Sequence, residues 1–160
     1  MNIRTAIREL EASKIFNDFL RDNPKYYLSM VFVNISDGEE DMQVGYYDKK
    51  SDTIVTFNND PVEQNPPDKV FKKERYMKKL NMEKVRISLN DARRAVDELL
   101  KKDYSAEVIT KTLIILQNLE KQIYNFTLIT RSLSIINIHV NAESGKIESS
   151  AKKPIMSLAK

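Results

Sequence analysis

The chain holds one histidine, His139, and no cysteine. A catalytic histidine needs a carboxylate or a nucleophile within reach, and a metal site usually recruits more than one strong ligand. His139 stands in an alternating run, with Ile136, Ile138 and Val140 on one side and Asn137, His139 and Asn141 on the other. That puts it on the polar face of a strand, and it is assigned no catalytic or metal role. Disulfides, thiolate zinc sites and iron–sulfur clusters are excluded without cysteine. The run Asp37, Glu39, Glu40, Asp41 offers oxygen to a hard cation but lacks the spacing of an EF-hand loop. It reads instead as a solvated hairpin tip. The three glycines, Gly38, Gly45 and Gly145, each fall in or near a hairpin, so no phosphate-cradling loop exists. An enzyme would have to assemble its site from scattered residues such as Tyr47, Asp48, Asn125 and His139. Nothing in the sequence ties these together, and the expectation is a non-enzyme with no cofactor.

One charged feature stands above the rest. Between residues 69 and 86, Lys69, Lys72, Lys73, Arg75, Lys78, Lys79, Lys84 and Arg86 face only Glu74 and Glu83, with Phe71 and Tyr76 among them. Lysines that meet phosphates and rings that stack on bases suit a single-stranded nucleic acid. On that reading the contacts are Lys69, Lys72, Lys73, Arg75, Tyr76, Lys78 and Lys79. The competing reading is a connector and edge strand that its lysines protect from aggregation. No helix-turn-helix, RNP or zinc-finger signature favours nucleic acid. The overall charge of +3 demands no polyanionic partner. Tyr26, Tyr27, Tyr46 and Tyr47 form a further candidate surface, but adjacent strand residues point to opposite faces, so at most half of them share one.

The elements that must position these residues are of both kinds. A first helix is expected over about 5–21, with Ile3, Ala6, Ile7 and Leu10 on one side and Ile15, Phe16 and Phe19 nearly opposite. Such a switch means either a break near residues 11–13 or first turns that pack on something different from the last. Asn23-Pro24 ends the helix. Residues 26–35 are apolar on both faces and predict a central strand. Residues 42–48 and 53–57 complete a meander. Pro61, Pro66 and Pro67 mark a connector, and residues 70–75 are expected as an edge strand. Ser88 is a good N-cap for a helix whose stripe is Leu89, Ala92, Val96, Leu99 and Leu100. A second helix is expected from Ser105, on the stripe Val108, Thr112, Leu113, Leu116 and Leu119. Strands at 123–130, 133–141 and 146–150 close the chain.

The two ends read alike: helix, apolar strand, second strand, polar turn, short strand. Residues 46–57, YYDKKSDTIVTF, compare with residues 139–150, HVNAESGKIESS. The closing stretch NAESGKIESS resembles the final hairpin of PepSY-type domains, where Asp or Asn precedes a short polar stretch, a glycine and a strand. The first half departs from it, with Asp52 where the turn glycine belongs. The resemblance implies a PepSY- or cystatin-like plan with helices on a curved antiparallel sheet, repeated in tandem, and a role in regulating another protein. It carries over no inhibitory residue.

The fold expected is therefore α+β: a single domain of two similar helix–meander halves, about 5–57 and 88–150, joined by a connector at 58–87. The expected function is binding, with an unknown protein partner through a sheet edge or the concave face, and homodimerisation through unpaired strands. Nucleic-acid binding through residues 69–86 is the alternative. No window of 18 apolar residues is present, and a cytoplasmic location is expected, with no membrane partner.

Overall fold

A computed structural model of the chain describes residues 2–69 and 76–158. The edge strand expected at 70–75 lies outside the described residues. The amino-terminal helical segment is two helices, α1 (Ile3–Glu11) and α2 (Lys14–Asp22). Asn2 caps the first, and Ser13 caps the second by accepting from the Phe16 amide at 3.2 Å. The break at Ala12–Ser13 is one of the two outcomes the apolar pattern allowed. It lets Ile3, Ala6, Ile7 and Leu10 of α1, and Phe16 and Phe19 of α2, reach the same core.

Next come β1 (Tyr27–Ser36), β2 (Glu39–Asp48), β3 (Thr53–Asn59), β4 (Val62–Gln64) and the two-residue β5 (Asp68–Lys69). Asp37 and Gly38 turn β1 into β2 with φ of 53° and 79°, the left-handed pair that a two-residue hairpin requires. The connector then passes the end of β1, where the Leu80 amide donates to the Leu28 carbonyl at 2.9 Å. Helix α3 (Leu89–Asp103) follows, with Ser88 accepting from the Asp91 amide at 3.1 Å as expected of an N-cap.

The second helix expected from Ser105 is instead a strand, β6 (Ile109–Leu119). Its apolar residues fall on both faces: Ile114 and Leu116 are buried, and Leu113 and Ile115 are half-buried. A central strand apolar on both sides mimics a helical stripe at four-residue spacing, and the β-branched Ile109, Thr110, Thr112, Ile114 and Ile115 were the better signal. The second half therefore carries one helix. It continues with β7 (Lys121–Thr130), β8 (Ser134–Asn141) and β9 (Ile147–Pro154), the last longer than the 146–150 expected.

All strand pairings are antiparallel, in the order β4-β3-β2-β1-β6-β7-β8-β9, with β5 also beside β3. The chain is thus an α+β fold in two similar groupings, each a helical segment followed by a meander, joined where β1 pairs with β6. An offset of 81 positions relates them. It carries Asp22, the end of α2, onto Asp103, the end of α3, and Thr53, the start of β3, onto Ser134, the start of β8. It carries Asp52 (φ 55°) onto Leu133 (φ 61°). It also carries Val33 onto Ile114, its own cross-strand partner, so a pseudo-two-fold axis normal to the sheet runs between them. The hairpin comparison made from sequence is corrected by this offset. The counterpart of 46–57 is 127–138, the β7–β8 turn, whereas 139–150 is the later β8–β9 turn. Polar composition alone could not tell one turn from the next.

All three helices pack on one face. The core joins their apolar residues to Val31, Val33, Val44, Val55, Phe57, Ile114, Leu116, Phe126, Leu128, Ile136 and Ile138. Phe16 meets Tyr46 and Phe57, and Phe19 meets Phe57, with centroids 4.8 to 5.7 Å apart. Burying each such ring stabilises the fold by about 1.5–3 kcal/mol.

Candidate functional site

Alternation along each strand leaves a second face, and among the described residues no helix covers it. Register assembles it row by row. Gln43, Phe32, Ile115, Asn125 and His139 stand side by side on β2, β1, β6, β7 and β8. The next row is Asp41, Asn34, Leu113, Thr127 and Asn137. Across β1, β6, β7 and β8 every one of these side chains is half-buried and none carries a formal charge apart from the titratable His139. Amides alternate with aliphatic and aromatic groups. Asn137 donates to Asn125 Oδ1 at 2.7 Å and to the Phe126 carbonyl at 3.0 Å, which holds both amides in place. Burial lowers the pKa of His139, so it is neutral at pH 7. Asn34 Oδ1 is buried with no hydrogen-bond partner.

One end of this face is closed. Tyr27 and Tyr47 pack with tilted rings, centroids 5.8 Å apart, and the Tyr27 hydroxyl donates to the Met77 carbonyl. Tyr47 and Ile54 are buried there, and Met30 lies over Gly45. Tyr26 and Tyr46 take the helix side, where Tyr46 donates to Glu11 Oε1 at 3.0 Å. The division of each tyrosine pair between faces is the one strand geometry required. At the opposite end, the turn into β4 raises a wall beside β2 and β3 and leaves a recess of about 530 Å³.

The residues singled out from sequence are distributed as follows. Asn125 and His139 are cross-strand neighbours. Tyr47 and Asp48 sit on β2, with β1 and β6 between them and β7, a separation of roughly 14 Å at the usual strand spacing. Asp48 caps its own turn, accepting from the Lys50 and Ser51 amides and the Ser51 hydroxyl. The four therefore do not form one site. Of the basic set, Lys69 lies opposite Thr53 on β5. Tyr76 is exposed, with Lys49 Nζ 3.9 Å from its ring centroid. Lys78 is half-buried, and the exposed Lys79 gives its carbonyl to Asn118 at 2.9 Å. Lys72, Lys73 and Arg75 lie outside the described residues. The acidic run is a hairpin, and its Glu40 reaches the helix side to pair with Arg93 at 2.9 Å. Among the described residues no group of three or more acidic or histidine side chains gathers where it could hold a metal ion, and none of the helices is long and apolar enough to cross a membrane.

Sequence reasoning missed Phe32, Asn34, Gln43, Leu113, Ile115 and Asn137 as members of one surface. The alternation of β1 contained the signal for its own two residues. The others depended on knowing that β6 is a strand and that it pairs with β1.

No protein-family model matches this sequence, and no curated protein matches it. Its fold is similar to the crystal structure of a lipoprotein candidate from Clostridium difficile, with a TM-score of 0.54 and 11% identity over 87% of this chain and 90% of that one. At that identity the likeness is one of fold, and it extends through both groupings of helix and meander.

Proposed function

We propose that this is a non-enzymatic binding protein, a PepSY-like regulator of another protein, and that the helix-free face of the sheet receives the partner. The observation that carries this is the pair of rows from Phe32 and Asn34 across to His139 and Asn137. Four adjacent strands present a continuous, half-buried mixture of amides and apolar groups. Its amides cost free energy to desolvate unless a partner bonds them, so a partner whose polar groups match in direction, beside the apolar contacts of an interface centre, is favoured by this surface. Placing it on a sheet fixes the spacing of its side chains before the partner arrives, which lowers the ordering cost of binding.

Photo-cross-linking tests the reading. A cross-linking residue replaces Ile115 on the open face or Glu98 on the exposed side of α3. One protein joined from Ile115 and not from Glu98, and lost when Asn137→Arg is added to a variant of unchanged melting temperature, is the expected result. Equal labelling from both positions would sink the proposal. Labelled single-stranded RNA settles the alternative in the same preparation. Salt-dependent binding with a log–log slope near −4 to −5, as about six phosphate contacts would give, lost on changing Lys72, Lys73, Lys78 and Lys79 to Glu in a still-folded protein, would transfer the function to the basic segment.

A further inference from the structure

We propose that the recess at the β3 end of the open face binds an organic cation through an ammonium or guanidinium group. Its floor is Phe32 and Asn34 of β1, Asp41 and Gln43 of β2, and Asn58 of β3. Their register, Asn34 opposite Asp41 and Phe32 opposite Gln43 opposite Asn58, turns all five toward the same side. Asp60, at the turn into β4, stands on the rim. The volume of the recess, about 530 Å³, lies within the range of small-molecule sites.

The chemistry of the lining selects the sign of the ligand. Asn34 lines the recess and its Oδ1 has no donor among the described residues, so a turn of this side chain would give the acceptor to an N–H of a ligand. Asp41 and Asp60 are both exposed, and neither has an ion-pair partner among the described residues. Asn65 holds Asn58 and Thr56 in place, donating to Asn58 Oδ1 at 3.1 Å and to Thr56 Oγ1 at 3.0 Å, which keeps the β3 side of the recess rigid. Phe32 supplies a ring in the floor, a suitable surface for a cation. Lys111, on the same face, stands opposite Ser36, one row beyond Asn34, so among the described residues no Lys or Arg stands in the recess rows. An anion would meet the carboxylates of Asp41 and Asp60. A bare metal ion needs several ligands at one point, and the described residues assemble no such group. An ammonium or guanidinium carries several donors on a larger body and matches acceptors spread along the recess.

The site does not depend on a protein partner, because a free amine is its own probe. Isotope-labelled protein is titrated with putrescine and spermidine, with capped lysine and arginine amides, and with butanol as the uncharged control, while side-chain amide resonances are followed. Saturable shifts of Asn34, Gln43 and Asn58 with the cations and none with butanol are expected. Asp41→Asn and Asp60→Asn, both at exposed positions, should each weaken binding at least tenfold while amide resonances elsewhere keep their places. Tighter binding of the polyamines would identify a free metabolite as the ligand source, and tighter binding of the capped amino acids a basic side chain of a partner. Non-saturating shifts spread over the acidic surface, unchanged in the two variants, would overturn the proposal and reduce the effect to counter-ion accumulation.

Discussion

At the scale of single residues, two positions turn geometry into measurable energy. Gly45 faces the open side beneath Met30, where an added Cβ would come within 2.8 Å of Met30 Cγ and 2.9 Å of Ile54 Cδ1. Overpacking of that kind costs about 1–3 kcal/mol. Gly45→Ala should lower urea stability by that amount, and Met30→Ala in the same chain should recover part of it. Additive losses in the double variant would show that Met30 is not the obstacle. Tyr124 donates to the Ile87 carbonyl at 2.7 Å, and burial pushes its pKa from 10.0 up to about 12. The unfolded chain loses this proton first as pH rises. Stability present below pH 10 is therefore lost between about 10 and 12, by roughly 2–3 kcal/mol for a gap of this size. Tyr124→Phe should flatten that part of an alkaline denaturation curve. Tyr27 and Tyr46, whose pKa values burial also raises, keep the rest of the limb. Burial lowers the pKa of His139, so its contribution runs the other way and fades as pH falls below its ordinary value. Gly45 and the tyrosine pairs were readable as strand residues, yet neither the Met30 contact nor the Ile87 bond has any trace in local sequence.

Among the elements, the repeat shows how local chemistry and pairing divide the work. Asp52 and Leu133 occupy equivalent turn positions with φ of 55° and 61°. Aspartate tolerates the left-handed region through local hydrogen bonding, whereas leucine pays the Cβ clash without that return. Leu133 is 68% exposed, so trimming it sacrifices little burial. Leu133→Gly should raise the unfolding free energy by a few tenths to about 1 kcal/mol in a denaturant titration. A loss of stability would mean that the exposed leucine packs more than its exposure indicates. The cap at Ser88 was legible because it is local, as was the stop at Asn23-Pro24, whereas the cap at Ser13 emerged only with the structure. Strand β6 was not, because apolar residues on both faces satisfy helix and strand periodicities alike until a neighbouring strand is known.

For the whole molecule, the junction between the groupings is β1 against β6, paired from Met30–Gln117 to Ser36–Lys111. Cutting the chain there would turn two central strands, apolar on both faces, into edges. We expect residues 1–69 expressed alone to stay unfolded or aggregate. We also expect the full chain to unfold in one transition, with circular dichroism and tyrosine fluorescence coinciding. Two separated transitions would show that each half stands alone. The candidate face depends on the same junction, since its two rows run across β1 and β6 without interruption. Composition, caps, turns and the alternation of single strands were determined by the sequence itself, because each rests on contacts within a few residues. They settled the α+β class and the absence of thiol chemistry, and they narrowed the first helical segment to a break near residues 11–13 or a change of packing partner. Which strands adjoin, and so which side chains share a face or line a recess, was decided by tertiary structure alone. Phe32 and Ile115 are 83 positions apart in the chain, and the backbone hydrogen bonds that make them neighbours carry no residue-specific mark.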